Sequence, residues 1–186
     1  MTEQPATFRL VHENDLGGSD RLHIRDLLTA AFPNHAALWR ERDFWGGPLE
    51  HRLLLRDLSG RLVGHLGFAR RLIEVDGQCV KIAGIGAVAI LPDFQGQGWG
   101  RRLLSRLGTH LAAEADVEFG FLQCRDIVVP FYEKLGFRRI TQRVRSFDPQ
   151  RSCWQTDDAA ALILPVTAGI DRWPRDGIVD LMGMPW

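Results

Sequence analysis

Alternating apolar and polar positions predict strands over residues 7–12, 51–57, 61–75, 78–91, 119–124, 137–147 and 159–164. Helical spacing predicts a helix after the first strand, with Leu22, Leu27, Leu28 and Ala31 inward, Asn14 or Ser19 as its cap and Pro33 as its stop. A second short helix is expected over residues 36–45, ended by Gly46-Gly47-Pro48. Leu103, Leu104, Leu107 and Leu111 mark one face of a longer helix through Ala113. Residues 127–135 predict another helix, closed by Gly136. Asp76-Gly77 is a two-residue hairpin signal between the strands 61–75 and 78–91, and residues 148–158 read as a loop before the last strand. No repeat or linker interrupts the pattern. Residues 1–186 are therefore read as one α/β domain, a mixed, largely antiparallel sheet with flanking helices.

Composition changes this picture mainly by exclusion. Lys+Arg 23 balances Asp+Glu 23, which gives no basic surface for nucleic acid. No apolar run reaches membrane-spanning length, and Met1-Thr2-Glu3-Gln4-Pro5 lacks the basic and apolar segments of a leader. Cys79, Cys124 and Cys153 are odd in number and lack metal-type spacing, so they read as reduced thiols of a cytoplasmic protein that binds no metal. Monomer and homodimer both remain open.

Candidate chemistry concentrates after Ile85-Gly86-Ala87-Val88-Ala89-Ile90-Leu91. There Pro92-Asp93-Phe94 and Gln95-Gly96-Gln97-Gly98-Trp99-Gly100-Arg101-Arg102 lead into the long helix. A strand, a glycine turn and a helix make an anion site, because the first helical turn leaves backbone N–H groups unpaired and glycine admits close approach. The spacing is not that of the dinucleotide fingerprint, and the Gly-Lys-Ser/Thr of a triphosphate loop is missing. Taken alone, the stretch also suits an ordinary strand–turn–helix with glycines for packing. Gln95-x-x-Gly98-x-Gly100 resembles the acyl-CoA pyrophosphate loop of the GCN5-related N-acetyltransferases. Pro130-Phe131-Tyr132-Glu133-Lys134-Leu135-Gly136-Phe137 resembles a later helix of the same family, where a tyrosine faces the thioester sulfur. Tyr132 is the only tyrosine in the chain; the alternative to the functional role is that it anchors a helix to the sheet.

That resemblance implies the fold of the family and acetyl-CoA as co-substrate. Pantetheine would lie between the strands 78–91 and 119–124, along the backbone of Val88, Ala89 and Ile90, with the Val88 N–H toward the developing oxyanion. Gln95, Gly96, Gln97, Gly98, Trp99, Gly100 and Arg101 would surround the pyrophosphate, and Tyr132 would protonate the leaving thiolate.

Two subfamilies are matched further. Phe8-Arg9-Leu10, Trp45-Gly46-Gly47, His65-Leu66-Gly67, Leu164-Pro165-Val166 and Trp173-Pro174 resemble nodulation N-acyltransferases, which place fatty acyl chains on a chitin-oligosaccharide amine. Arg9-Leu10-Val11-His12, His65, Arg70-Arg71, Tyr132, Thr156-Asp157-Asp158 and a C-terminal tryptophan resemble aminoglycoside 2′-N-acetyltransferases. Both imply a primary amine on an amino-sugar-like acceptor. The aminoglycoside enzymes' base, a glutamate, is matched by Gly86, and their acceptor-side acidic residue by His35. The expected acceptor side comprises His35, Gln123, Asp157 and Asp158. His65 is expected near the acceptor as a water-linked proton acceptor. The α-carboxylate of Trp186 is expected as the base, with Asp157 and Asp158 as rivals. The better pyrophosphate loop and Tyr132 favour a short acyl donor over a carrier-bound fatty chain. The alternatives are nodulation-type long-chain acylation and a CoA-binding module without turnover.

Overall fold

The structure is a computed structural model describing residues 5–186; the expected absence of a leader rests mainly on residues outside that range. In chain order the strands are β1 (Thr7–His12), β2 (His51–Arg56), β3 (Leu62–Val75), β4 (Gln78–Ile90), β5 (Phe119–Cys124), β6 (Arg138–Ile140), β7 (Val144–Asp148), β8 (Cys153–Asp157), β9 (Ala160–Pro165) and β10 (Val179–Asp180). The helices are α1 (Gly18–Ala31), α2 (Ala36–Glu41), α3 (Trp99–Glu114) and α4 (Val129–Glu133). One sheet runs β6-β9-β5-β4-β3-β10-β7-β8, with β2 on β3 and β1 on β2. Among the described residues only β4–β5 and β10–β7 are parallel.

The sheet has to curl. β6 and β7 lie six strand spacings apart in this order, which in a flat sheet is about 29 Å. Ile140 and Val144 are joined by three residues, which reach at most about 14 Å. The strands therefore roll round an apolar interior that holds Ile73, Ile82, Phe119, Phe121, Trp173 and Leu181. A second core, under α1 and α3, gathers Ile24, Leu28, Leu54, Phe68, Leu103 and Leu107.

Several sequence expectations change. Gly17 precedes α1 without any side-chain cap, so neither Asn14 nor Ser19 serves. Leu22 points outward at 61% exposure, and Ile24 takes the inward place. The expected strand over residues 137–147 is broken into β6 and β7, because its two halves pair on opposite flanks of the curl. The expected loop 148–158 contains β8, which closes an antiparallel hairpin on β7. Strand β9 is followed by β10, so it is not the last.

Candidate active site

Strands β4 and β5 pair through Ile82↔Phe119, Ala83↔Gly120 and Gly84↔Phe121, and then part. The parting coincides with an irregularity on the other side of β4, where the register with β3 shifts between His65 and Gly67 and Ala87 takes φ +50°. His65 holds this bulge: its Nδ1–H donates to the Ala87 carbonyl at 2.9 Å. The ring is fully buried, and burial, reinforced by the nearby Arg52 cation, holds its pKa down to about 3. The imidazole is neutral and sealed from solvent. Burial and the low pKa speak against the expected water-linked proton acceptor; what His65 does in the structure is hold the irregularity of β4.

Backbone direction follows from the register. The Leu91 N–H donates to the Val63 carbonyl, so alternate peptides turn toward β3, and those of Val88 and Ile90 turn into the gap. The Ile90 carbonyl there accepts from Gln95 Nε2 at 3.0 Å. Ala89 points its side chain into the core. Across the gap, Gln123 is half-buried and its Nε2 has no hydrogen-bond partner among the described residues.

Past Ile90 the chain enters α3 through Gly96 (φ +73°) and Gly98 (φ +86°), with open space where their side chains would stand. Gly98 precedes α3 without a side-chain cap, and its carbonyl accepts from the Arg102 N–H. The Trp99, Gly100 and Arg101 N–H groups thus fall in the turn that has no intrahelical acceptors. Gln97 Nε2 ties the loop to the Asp93 carbonyl at 2.8 Å. Trp99 contributes only backbone here, since its indole is buried with the Arg102 guanidinium 4.7 Å above it. Uncapped N–H groups, an orphaned Gln123 amide and a Val88 backbone turned into the gap fit a long ligand that ends in a polyanion.

Tyr132, on the short helix α4, is 7% exposed and wedged edge-on between Phe131 and Phe137, at 5.2 and 5.4 Å. Burial and the neighbouring Cys124 push the phenol above its usual range, so it stays protonated. Burial likewise raises the Cys124 thiol to about 11, which leaves it unreactive.

Sequence reasoning missed how the C-terminal segment is held. Trp186 lies flat on Gly84, where any Cβ would collide with the indole, and its main-chain oxygen lies 3.0 Å from where a Gly86 side chain would begin. The ring edge meets Phe121 at 5.8 Å. Arg71 donates to the Met184 and Leu181 carbonyls at 2.6 and 3.1 Å, with its guanidinium 5.5 Å above the indole. The Gly47 N–H donates to the Pro185 carbonyl at 2.6 Å. The one available signal was Gly84-x-Gly86: two glycines on the same face of a strand mark a close approach. Beside this clamp stand Phe32, His35, Trp39 and Trp45, with His35 edge-on to Trp45 at 5.0 Å.

Asp157 accepts from the Ala159 N–H at 2.7 Å, and Asp157-Asp158 lead directly into Ala160, which pairs with Cys124 at the end of β5. Asp157 sits opposite Val144, which pairs with Val179 and through it with Val75, at the tip of the β3–β4 hairpin. Asp158 is paired with Arg143 at 2.6 Å. Charge is instead buried under β2, a feature unseen in the sequence. Arg52 bonds Glu13 at 2.8 Å and Asp43 at 2.9 Å, and Arg21 reaches the same two carboxylates. His12, Glu50 and His51 are the only group of three metal-type side chains among the described residues, and Arg70 already occupies Glu50.

A curled mixed sheet with β4 and β5 parting above a glycine turn is the architecture of the GCN5-related N-acetyltransferases. The structure of YhbS from Escherichia coli in complex with CoA superposes with a TM-score of 0.63 over 97% of this chain and 92% of that one, at 19% identity. The ribosomal-protein-S18-alanine N-acetyltransferase of Escherichia coli superposes with a TM-score of 0.57 over 90% of this chain and all of that one, at 20% identity. The family profile described as Nodulation protein A (NodA) matches residues 4–185, and the chain belongs to that family. Nodulation protein A of Mesorhizobium plurifarium is 28% identical over 95% of each chain. The protein is thus an N-acyltransferase of the NodA type on this fold.

Proposed function

We propose that the protein moves an acyl group, acetyl in the simplest case, from acyl-CoA to the primary amine of an amino sugar. The observation that carries this reading is the convergence of three features on one gap. They are the uncapped start of α3, the protonated Tyr132 near Cys124 at the end of β5, and the Trp186 main chain over Gly86. The α3 turn holds the pyrophosphate, and Gln123 and the Val88 backbone hold the pantetheine arm. The Val88 N–H donates to the thioester oxygen as negative charge develops on it. The Trp186 carboxylate takes a proton from the incoming ammonium, the amine nitrogen bonds the thioester carbon, and the C–S bond breaks. Tyr132 donates a hydrogen bond to the departing sulfur, and solvent supplies the proton that makes it a thiol. The products are an amide, CoA thiol and one proton released to water. Exposed Trp45 with His35 supplies an aromatic edge of the kind sugar rings pack against.

The test is a screen of glucosamine, chitin-oligosaccharide and aminoglycoside amines with acetyl-CoA, read by thiol release. Acylation of one of these is expected, and release with none of them would leave the CoA-binding-module reading standing. One glycine added after Trp186 converts the proposed carboxylate to an amide and should lower kcat/KM at least tenfold. Unchanged kcat/KM would exclude Trp186 as the base.

A further inference from the structure

We infer that the indole of Trp186 is the wall that ends the acyl subsite, so that this chain takes short acyl donors. The inference rests on the reading of the β4–β5 gap as the acyl-CoA site. That gap has one closed end, where the strands rejoin at Gly84↔Phe121. Gly86 is two residues, roughly 7 Å, from Val88 in that direction. An acyl chain running on from the thioester therefore meets the closed end within a few carbons and has to leave by one face of the sheet.

Both faces are occupied. On one, Ile85 packs toward Gly120 and the α3 residue Leu111 within the core. On the other lies the Trp186 ring. It rests on Gly84 of β4 and meets Phe121 of β5 edge-on at 5.8 Å, so it bridges the two strands where they part. The wall is fixed: Arg71 holds the Met184 and Leu181 carbonyls and covers the indole, and Gly47 holds Pro185. Beneath the indole are Phe121 and Trp173, which stack at 6.3 Å, and the apolar interior of the curl. Removing the ring exposes an apolar recess in line with the gap, and an acyl chain is the ligand such a recess fits.

Isothermal titration with CoA, acetyl-CoA, hexanoyl-CoA and decanoyl-CoA, in the absence of any acceptor, reads this directly. The wild type is expected to bind hexanoyl-CoA and decanoyl-CoA no more tightly than acetyl-CoA. In Trp186→Ala each methylene that enters the recess should tighten binding about fourfold. Hexanoyl-CoA should then bind at least tenfold more tightly than acetyl-CoA. Trp186→Phe keeps an aromatic ring and should fall between, and it decides the matter if the alanine variant does not fold. An identical chain-length profile in wild type and variants, or a wild type that prefers decanoyl-CoA, would overturn the inference. A wild type that binds none of the four, CoA included, would overturn the donor-site reading itself.

Discussion

Burial keeps two residues of the site neutral, and they use that neutrality differently. Tyr132 has its phenol raised above an ordinary value near 10, whereas a free thiol sits near ~8.5. Full proton transfer from phenol to thiolate is therefore uphill by more than about 2 kcal/mol. In the proposed mechanism Tyr132 therefore serves as a hydrogen-bond donor while the C–S bond breaks, and solvent completes the protonation. Tyr132→Phe should lower kcat about 100-fold and leave the acetyl-CoA Kd within about twofold, as steady-state kinetics and titration will show. An unchanged kcat would remove Tyr132 from the mechanism. His65 is held neutral to keep a backbone bulge in place. Its pKa falls from about 6.5 in the unfolded chain to about 3 in the folded one, so between these values only the unfolded state binds the proton. Folding stability should therefore drop by about 1.4 kcal/mol per pH unit as pH falls below 6.5. His65→Gln abolishes the titration, so its stability deficit against wild type in urea denaturation should shrink from pH 7 to pH 4.5. A deficit constant with pH would contradict this account.

In the proposed donor site the main element is the turn into α3. Gly98 stands where a capping side chain would normally satisfy the first N–H groups, and its φ of +86° leaves them open. Gly98→Asp would place a carboxylate on those N–H groups itself. The variant should melt within a few degrees of wild type yet lose the thermal stabilisation that millimolar acetyl-CoA gives. Retained stabilisation would place the phosphates elsewhere. This turn, β1 to β5, β9, α1 and α3 were legible in the sequence because their signals are local: alternation, helical spacing, a hairpin turn and a glycine run. What was missed depended on distant contacts. Residues 137–147 read as one strand, and nothing within it shows that β6 pairs with β9 while β7 pairs with β10. Leu22 fits the helical stripe of α1 but has no layer above it. Arg52 lies in an alternating strand like any polar residue, and its burial shows only once Glu13 and Asp43 are folded against it. Tyr132 was found through its motif, whereas the role of Arg71 needed a partner 113 residues away.

At the scale of the whole molecule, the curl and the C-terminal segment form one construction. The short β6–β7 link brings the two flanks of the sheet round, β10 fills the place between β3 and β7, and the chain beyond it returns across β4. Arg71 joins the two levels, since its guanidinium leaves β3, binds two carbonyls of that segment and covers Trp186. Burial without a carboxylate partner lowers its pKa somewhat, and it remains a cation at neutral pH. Arg71→Gln retains a donor but neither the fork nor the charge. Charge-assisted hydrogen bonds are worth about 1.5–3 kcal/mol each, and part of that returns through water once the segment loosens. Global stability should then fall by about 2 kcal/mol, and hydrogen exchange should accelerate over residues 181–186 before it does in β4 or β5. Because that segment carries the proposed base and the acyl wall, kcat for acetyl transfer should fall with it while CoA still binds at α3. If exchange rose evenly over the whole sheet, Arg71 would be a general prop of the fold and the segment would owe its position to β10 alone.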